Sequence, residues 1–141
     1  MEYLPLHFDL RGRQCLLVGG GQVALRKARL LVAAGAHLTV IAPDINAAFQ
    51  DLVSAHPMVF HQRPYATGDL EGYALIVVAT SNTALNREIS AAAGARQIPV
   101  NVVDQPALCS VIFPAIVDRD PVLLSVSSGG RSPVLTRRLR E

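Results

Sequence analysis

Residues 14–24 read Gln-Cys-Leu-Leu-Val-Gly-Gly-Gly-Gln-Val-Ala, and this stretch decides the fold. The apolar run at 14–19 ends in glycine and predicts a buried strand. Over residues 22–34 the apolar positions follow a helical period, and Gly35 ends that predicted helix. The β-branched run HLTVIA at 37–42 follows as a second strand. A strand, a glycine loop, a helix and another strand form a βαβ unit.

The alternation of strands and helices continues to about residue 105 and predicts a parallel sheet. The remaining predicted elements are a helix with Asp44 as its cap and an end near Ala55, strands at 58–63 and 73–79, a helix at 83–93 followed by Gly94, and a strand at 98–103. The fold class is therefore α/β, a Rossmann-type parallel sheet with helices on both faces.

A different pattern follows the sheet. Apolar runs at 111–117 and 122–127 flank a polar turn that contains Pro121, which predicts a β-hairpin. The sequence Ser-Ser-Gly-Gly-Arg-Ser-Pro leads into a helix that begins near Pro133. Because the sequence ends inside that helix, we expect the chain to be part of a longer protein.

Composition excludes several classes of protein. Half of the residues are hydrophobic and 17% are charged, which excludes intrinsic disorder. A net charge of +2 with 5% aromatic residues argues against a nucleic-acid partner. No apolar run is long enough to span a membrane and no signal peptide is evident, so we expect a cytoplasmic protein without a membrane partner. The two cysteines and four histidines lack metal-ligand spacing, which predicts no protein-bound metal.

The glycine loop matches the pattern Gly19-x-Gly21-x-x-Ala24 and lies where a dinucleotide-binding loop requires it. Gly19 permits the turn, Gly21 lets a pyrophosphate approach the backbone, and Ala24 permits close packing of helix and strand. The N-terminus of the helix adds free N–H groups and a partial positive charge. The alternative is a glycine-rich turn that binds no ligand.

Residues after the other strands are further candidates. No acid ends the second strand, but Asp44 follows it and either reaches a ribose hydroxyl or caps its helix. No arginine nearby would hold a 2′-phosphate, so NAD is favoured over NADP. Thr80, Ser81 and Asn82 follow the fourth strand and either line the cofactor cleft or cap the next helix.

Asp104 ends the fifth strand at the same predicted edge of the sheet. A carboxylate beside a nicotinamide can take a proton while hydride leaves a substrate, although an aspartate there can also cap a turn. Asn101 of the same strand and Ser128 are candidates for binding the substrate. Arg131, Arg137 and Arg138 form a basic segment, which is either a solvated helix face or a site for an anionic substrate.

Together these motifs resemble the amino-terminal module of siroheme synthase, the precorrin-2 dehydrogenase/sirohydrochlorin ferrochelatase family. The matching stretches are LPLHFDLRGRQCLLVGGGQVALRKARLLVAAGAHLTVIAP at 4–43, VATSNTALN at 78–86, NVVD at 101–104 and FPAIVDRDPVLLSVSSGGRSPVL at 113–135. The resemblance implies NAD-dependent dehydrogenation of precorrin-2 to sirohydrochlorin, and insertion of ferrous iron, as a substrate, to give siroheme.

The resemblance also implies roles for particular residues. Asp104 would handle protons in both steps, and NAD would contact Gln22 and Val23 after the loop and Pro43 and Asp44 after the second strand. The four pyrrole nitrogens of the tetrapyrrole would be the ligands of the iron. Family members continue into a small helical domain, and fused forms continue into a methyltransferase.

Two domains and a homodimer are expected. Residues 1–105 would form the NAD-binding Rossmann domain and residues 106–141 a dimerisation segment, because an isolated hairpin needs a packed partner. The resemblance implies that this segment is exchanged between subunits and completes the partner's cleft. The alternative function is a non-catalytic NAD-sensing module whose hairpin relays the state of the cofactor to a partner.

Overall fold

A computed structural model of the chain describes residues 1–129 and 131–140, without the side chains of residues 135 and 136. Gly130 of the Ser-Ser-Gly-Gly loop and the terminal Glu141 therefore lie outside the described residues. The strands and helices are β1 (Gln14–Val18), α1 (Gln22–Ala33), β2 (His37–Ala42), α2 (Ala47–Ala55), β3 (Val59–Gln62), β4 (Leu75–Val78), α3 (Thr83–Ala95), β5 (Val100–Val102), β6 (Ala115–Arg119), β7 (Val122–Val126) and α4 (Pro133–Arg140). A short 3₁₀ helix covers Pro106–Leu108.

Five strands form one parallel sheet in the order β3-β2-β1-β4-β5. The chain builds the sheet outward from β1 in one direction through β2 and β3, then returns beside β1 with β4 and continues to β5. The point between β1 and β4 is thus a topological switch point, where open α/β sheets bind their ligands. The predicted Rossmann-type fold with a following hairpin and terminal helix is confirmed.

The central strands are buried on both faces. Ile89 and Ala93 of α3 pack with alternate residues of β1 and β4, including Leu16 and Ile76. The residues between them in the strands are buried as well: Cys15, Leu17 and Val77. This explains why β1 and β4 are continuous apolar runs and lack the alternation of half-exposed strands.

Two helix ends differ from the sequence predictions. The cap of α2 is Asn46, whose side-chain oxygen accepts a hydrogen bond from Phe49 N at 2.8 Å, so the prediction of Asp44 as the cap is wrong. Gly94 lies inside α3 and does not end it; the helix continues to Ala95, and Gln97 beyond it adopts a positive φ of 56°. A residue with a side chain takes the left-handed position that glycine usually fills.

The outer edge of β5 is covered by the chain itself. The backbone N–H of Val100 donates to Ser110 Oγ, and its carbonyl accepts from Ser110 N, both at 2.9 Å. The Sγ atom of Cys109 lies 3.1 Å from Val102 N and 3.2 Å from Val102 O. The outward polar groups of this edge strand are thereby bonded.

The contacts of the chain define two compact units, residues 8–110 and residues 1–7 with 111–141. In the second unit β6 and β7 pair antiparallel, with Val117 opposite Leu124, and α4 contacts both strands. Several of its apolar side chains are exposed, including Val122, Leu124 and Val134 at 61%, 49% and 67%, whereas the apolar side chains of β6 are half-buried. The domain boundary near residue 105 stays a prediction.

Within the described part of the chain, no helix is long and apolar enough to cross a membrane.

Candidate functional site

The glycine loop is wedged between the ends of the neighbouring strands. Gly19 has a φ of +134° and donates its N–H to Ile41 O of β2 at 3.0 Å. A Cβ at Gly19 would overlap the backbone carbonyl of Ala79 after β4, and a Cβ at Gly20 would overlap the carbonyl of Asp44 after β2. Both glycines are therefore required by close backbone approach.

Gly21 is the opposite case, because no atom lies within 4 Å of a Cβ built there. It is the N-cap of α1, and it has no side chain that could bind the first free N–H groups of that helix. The first turn of α1 also contains no acidic residue. Open space over unoccupied helix N–H groups fits the pyrophosphate of a dinucleotide, whose negative charge the helix N-terminus favours.

Gln22 and Val23 begin α1 directly beside that space, with Gln22 exposed and Val23 half-buried. Ala24 is fully buried and lets the helix approach the sheet. Pro43 and Asp44 lie exposed at the carboxyl end of β2. Since Asn46 caps α2, the Asp44 carboxylate is not used as a cap, and in residues 1–129 and 131–140 no hydrogen bond ends on it. It is available to a ribose hydroxyl, as NAD requires.

Thr80 lies half-buried at the carboxyl end of β4, on the other side of the glycine loop. Its hydroxyl donates to Asn86 Oδ1 at 2.5 Å and accepts from Asn82 N at 3.2 Å, and its carbonyl accepts from Asn86 Nδ2 at 3.0 Å. Asn82 is the cap of α3, since its side chain accepts from Leu85 N. The cap function predicted for this turn thus belongs to Asn82, and Thr80 lies beside the switch point at the carboxyl end of β4.

Asp104 lies exposed just beyond β5, at the same carboxyl edge of the sheet. The preceding Val103 donates its N–H to Val78 O of β4 at 2.9 Å, which ties this end of β5 to β4. Asp104 has a φ of +60°, a conformation that few residues other than glycine and the Asn/Asp pair adopt. Of the hydrogen bonds in the described residues, none ends on the Asp104 carboxylate. It is therefore not held as a turn cap.

One cation lies near this carboxylate. Burial of Lys27 on α1 lowers the pKa of its ammonium group, the neighbouring Arg26 lowers it further, and Asp104 acts in the opposite direction. The long side chain of a helical residue leans toward the N-terminus of its helix, which here is the carboxyl edge of the sheet. Lys27 could not be identified from the sequence, because it stands beside the apolar stripe of α1 as Arg26 and Arg29 do.

The substrate candidates are less exposed to a ligand than expected. Asn101 is buried at 7% exposure, and its Nδ2 lies 3.7 Å from Cys109 Sγ. Ser128 Oγ accepts from Ser132 N at 2.9 Å, and Ser128 O accepts from Arg131 N at 3.2 Å, so this serine supports its own turn. Both side chains have contacts within their own unit.

The arginine candidates belong to the second unit. Arg131 forms an ion pair with Glu2 at 2.9 Å, with both side chains well exposed. Arg137 and Arg138 are exposed on the last turn of α4. In the described residues, no group of three or more His, Cys, Asp or Glu side chains could hold a metal ion.

Comparison with known proteins agrees with the motifs. A family model described as "Putative NAD(P)-binding" matches residues 6–115. A siroheme synthase of Pseudomonas fluorescens (strain Pf0-1) is 57% identical over 140 residues, which are 99% of this chain and 30% of the relative. A siroheme synthase of Azotobacter vinelandii (strain DJ / ATCC BAA-1303) is 56% identical over the same shares. The chain thus spans about a third of the length of these curated relatives.

A solved structure titled "SirC, precorrin-2 dehydrogenase" has the same fold, with a TM-score of 0.83 and 29% sequence identity. The match covers 98% of this chain and 68% of that one, so it includes the hairpin segment as well as the parallel sheet. The resemblance to the amino-terminal module of siroheme synthase is confirmed.

Proposed function

This chain belongs to the NAD(P)-binding family matched over residues 6–115, and we propose that it is the dehydrogenase module of a siroheme synthase. Its reaction is the NAD-dependent oxidation of precorrin-2 to sirohydrochlorin. One observation carries the proposal: the same edge of the sheet holds an open glycine loop and a carboxylate that accepts no hydrogen bond from the described residues. The glycine loop leaves room for the pyrophosphate of the cofactor, and the carboxylate can accept a proton as a general base.

The cofactor is held in three places at this edge. The free N–H groups of α1 beyond Gly21 bind the pyrophosphate. Pro43 and Asp44, after β2, contact the adenosine ribose, and the Asp44 carboxylate selects NAD because it repels the 2′-phosphate of NADP. Thr80, after β4, contacts the nicotinamide half. NAD supplies a hydride acceptor when it is bound.

Asp104 acts as the general base of the dehydrogenation. The oxidation removes two hydrogens from precorrin-2, one as hydride to the nicotinamide and one as a proton to this carboxylate. Lys27 lies half-buried on α1, close enough to Asp104 for this carboxylate to act on the pKa of its ammonium group. Asn101, Ser128, Arg131, Arg137 and Arg138 remain our candidates for the tetrapyrrole, whose carboxylates suit arginine.

We extend the proposal to iron insertion at the same site. Ferrous iron is then a substrate, its ligands are the four pyrrole nitrogens, and Asp104 accepts protons that those nitrogens lose. No step needs a metal bound by the protein. The chemistry takes place in the cytoplasm.

The test is a spectral assay of purified protein with NAD⁺ and precorrin-2, which should develop the absorption of sirohydrochlorin. Asp104→Ala should lower the rate by about 10²- to 10⁴-fold, the usual contribution of a positioned base. Asp104→Asn is the matched control, since it keeps the shape and loses the base. Near-normal rates in both variants would overturn the role of Asp104.

A second variant separates the cofactor from the base. Gly21→Asp places a side chain and a negative charge where the pyrophosphate binds, and should abolish oxidation while iron insertion into sirohydrochlorin continues. Binding of NAD⁺ without any turnover in the unaltered protein would instead favour the non-catalytic NAD-sensing module.

We further propose a homodimer through the segment after residue 105, exchanged so that each segment completes the other subunit's cleft. The exposed apolar side chains of β7 and α4 support it, because a two-stranded hairpin is marginal in water unless it packs on a partner. Sedimentation at micromolar concentration should give about twice the chain mass of 15.1 kDa. A single-chain mass would contradict the dimer and leave the dehydrogenase proposal intact.

A further inference from the structure

Asn86 is a polar residue with no solvent exposure on the inner face of α3, beside the fully buried Ile89. Burial of a primary amide is costly unless both of its ends are hydrogen-bonded. Both ends of this amide bond to Thr80: Nδ2 donates to the backbone carbonyl and Oδ1 accepts from the hydroxyl. A leucine at this position would pack into the apolar core without the cost of burying polar atoms. We therefore attribute the presence of the amide to its hydrogen bonds with Thr80.

These bonds determine the direction of the hydroxyl proton of Thr80. A carbonyl only accepts, so the nitrogen of the Asn86 amide must face Thr80 O and its oxygen must face Thr80 Oγ1. The hydroxyl therefore donates its single proton to Asn86, and it also accepts from Asn82 N. One lone pair is left, and with it Thr80 can only accept a hydrogen bond from a ligand.

The place of Thr80 in the sheet indicates which part of a dinucleotide it meets. The strand order places β2 on one side of β1 and β4 on the other, with the glycine loop between them. If the pyrophosphate lies at Gly21 and the adenosine ribose lies beside Asp44 after β2, the nicotinamide half extends over β4 toward Thr80. That half offers two kinds of donor, the ribose hydroxyls and the carboxamide N–H₂.

We propose that Asn86 is a positioning residue which holds Thr80 as a hydrogen-bond acceptor for a donor on the nicotinamide half of the cofactor. The inference rests on the proposed function, since it takes NAD as the occupant of the switch point. It also excludes the phosphate oxygens as partners of Thr80, because they accept hydrogen bonds and do not donate them.

The experiment measures the affinities of three ligands by titration calorimetry: ADP, ADP-ribose and NAD⁺. ADP ends before the second ribose, ADP-ribose adds its hydroxyls, and NAD⁺ adds the carboxamide. Thr80→Val should leave ADP binding unchanged and weaken NAD⁺ about 5- to 30-fold, the effect of one lost hydrogen bond with an unpaired donor. Thr80→Ser, which keeps the hydroxyl, should retain most of the affinity.

The intermediate ligand identifies the donor. If Thr80→Val weakens ADP-ribose as much as NAD⁺, the donor is a ribose hydroxyl; if it weakens only NAD⁺, the donor is the carboxamide. Asn86→Leu should weaken the same ligands because it no longer holds the Thr80 hydroxyl in place, and Thr80→Val added to it should cost little more, because both changes act on the same hydrogen bond to the ligand. Unchanged ADP affinity in each variant shows that the fold is intact.

Two results would overturn the inference. One is unchanged affinity of Thr80→Val for both ADP-ribose and NAD⁺. The other is an equal loss for all three ligands, which would mean that Thr80 and Asn86 support only the fold. Failure of the unaltered protein to bind any of the ligands would count against the proposed function itself, and so is distinguishable from both.

Discussion

The two units of the chain bury their apolar residues very differently. In residues 8–110 a parallel sheet encloses side chains such as Leu16, Ile76 and Ile89 with no exposure. Among the described residues of the other unit, none of the hydrophobic side chains is fully buried, and Leu124 is half exposed. The first unit thus has a hydrophobic core of its own, whereas the second has apolar surface without one. Folding and assembly should consequently depend on different parts of the chain.

Truncation of one apolar residue in each unit gives the largest expected contrast. Ile76→Ala, in the centre of β4, should lower the free energy of unfolding by about 2–5 kcal/mol because it leaves a cavity. Leu124→Ala, in β7, should cost less than about 1 kcal/mol in a single chain, because that side chain is already 49% exposed. Denaturant titrations at several protein concentrations measure both. A large cost of Leu124→Ala that persists at the lowest concentration would remove the contrast.

Ion pairs should show the same contrast at smaller magnitude. Asp69 in the first unit is 16% exposed, accepts two bonds from Arg63 at 2.8 and 2.9 Å, and accepts a third from Ala66 N at 2.7 Å. Asp69→Asn should cost about 1–3 kcal/mol, since the amide offers one acceptor oxygen to three donors where the carboxylate offers two charged ones.

The matched change in the second unit is Glu2→Gln, which breaks the exposed pair with Arg131. It should change the free energy of unfolding by about 0–1 kcal/mol, and high salt should abolish even that. Thermal unfolding of both variants at low and high salt is the measurement. Equal costs in the two variants would contradict the contrast.

A further effect confined to the first unit concerns alkaline pH and one buried thiol. Burial raises the pKa of Cys15 from 9.0 to about 11. Between these values the unfolded chain loses a proton that the folded chain keeps, so stability should fall as pH rises from 9 to 11. The slope for one proton is at most about 1.4 kcal/mol per pH unit.

Cys15→Val should flatten that slope, because it removes the titrating group and keeps the volume of the side chain. The change should appear in unfolding of the first unit, since Cys15 lies in β1. An identical pH dependence in the variant and the unaltered protein would contradict the prediction.

Much of the fold was predictable because its signals are local. The run at 14–24 implies a strand, a tight turn and a helix start from its apolar residues and its glycines, and the structure confirms each. The helix ends were less predictable. Asp44 and Asn46 are equally good caps by residue type, and the sequence does not show at which residue the helix begins, which decides that Asn46 binds the first turn.

The candidate site was predictable where its residues come directly after a strand. Gly21, Asp44, Thr80 and Asp104 all follow strands, and parallel strands bring such residues to one edge. Asn86 lies about one turn into α3 and is followed by Arg87 and Glu88, so the sequence shows it as one polar residue among several. Its function depends on a bond to a residue on another element, and helical periodicity carries no information about such bonds.

The bonds that Ser110 and Cys109 make to the outer edge of β5 bear on aggregation. An open sheet edge is a template on which another chain can add a strand, and it is a common start of aggregates. At β5 the N–H and carbonyl groups of Val100 and Val102 are already bonded, so a foreign strand finds nothing to pair with. A further strand therefore cannot add to the sheet beside β5, and any self-association has to use other surfaces of the chain.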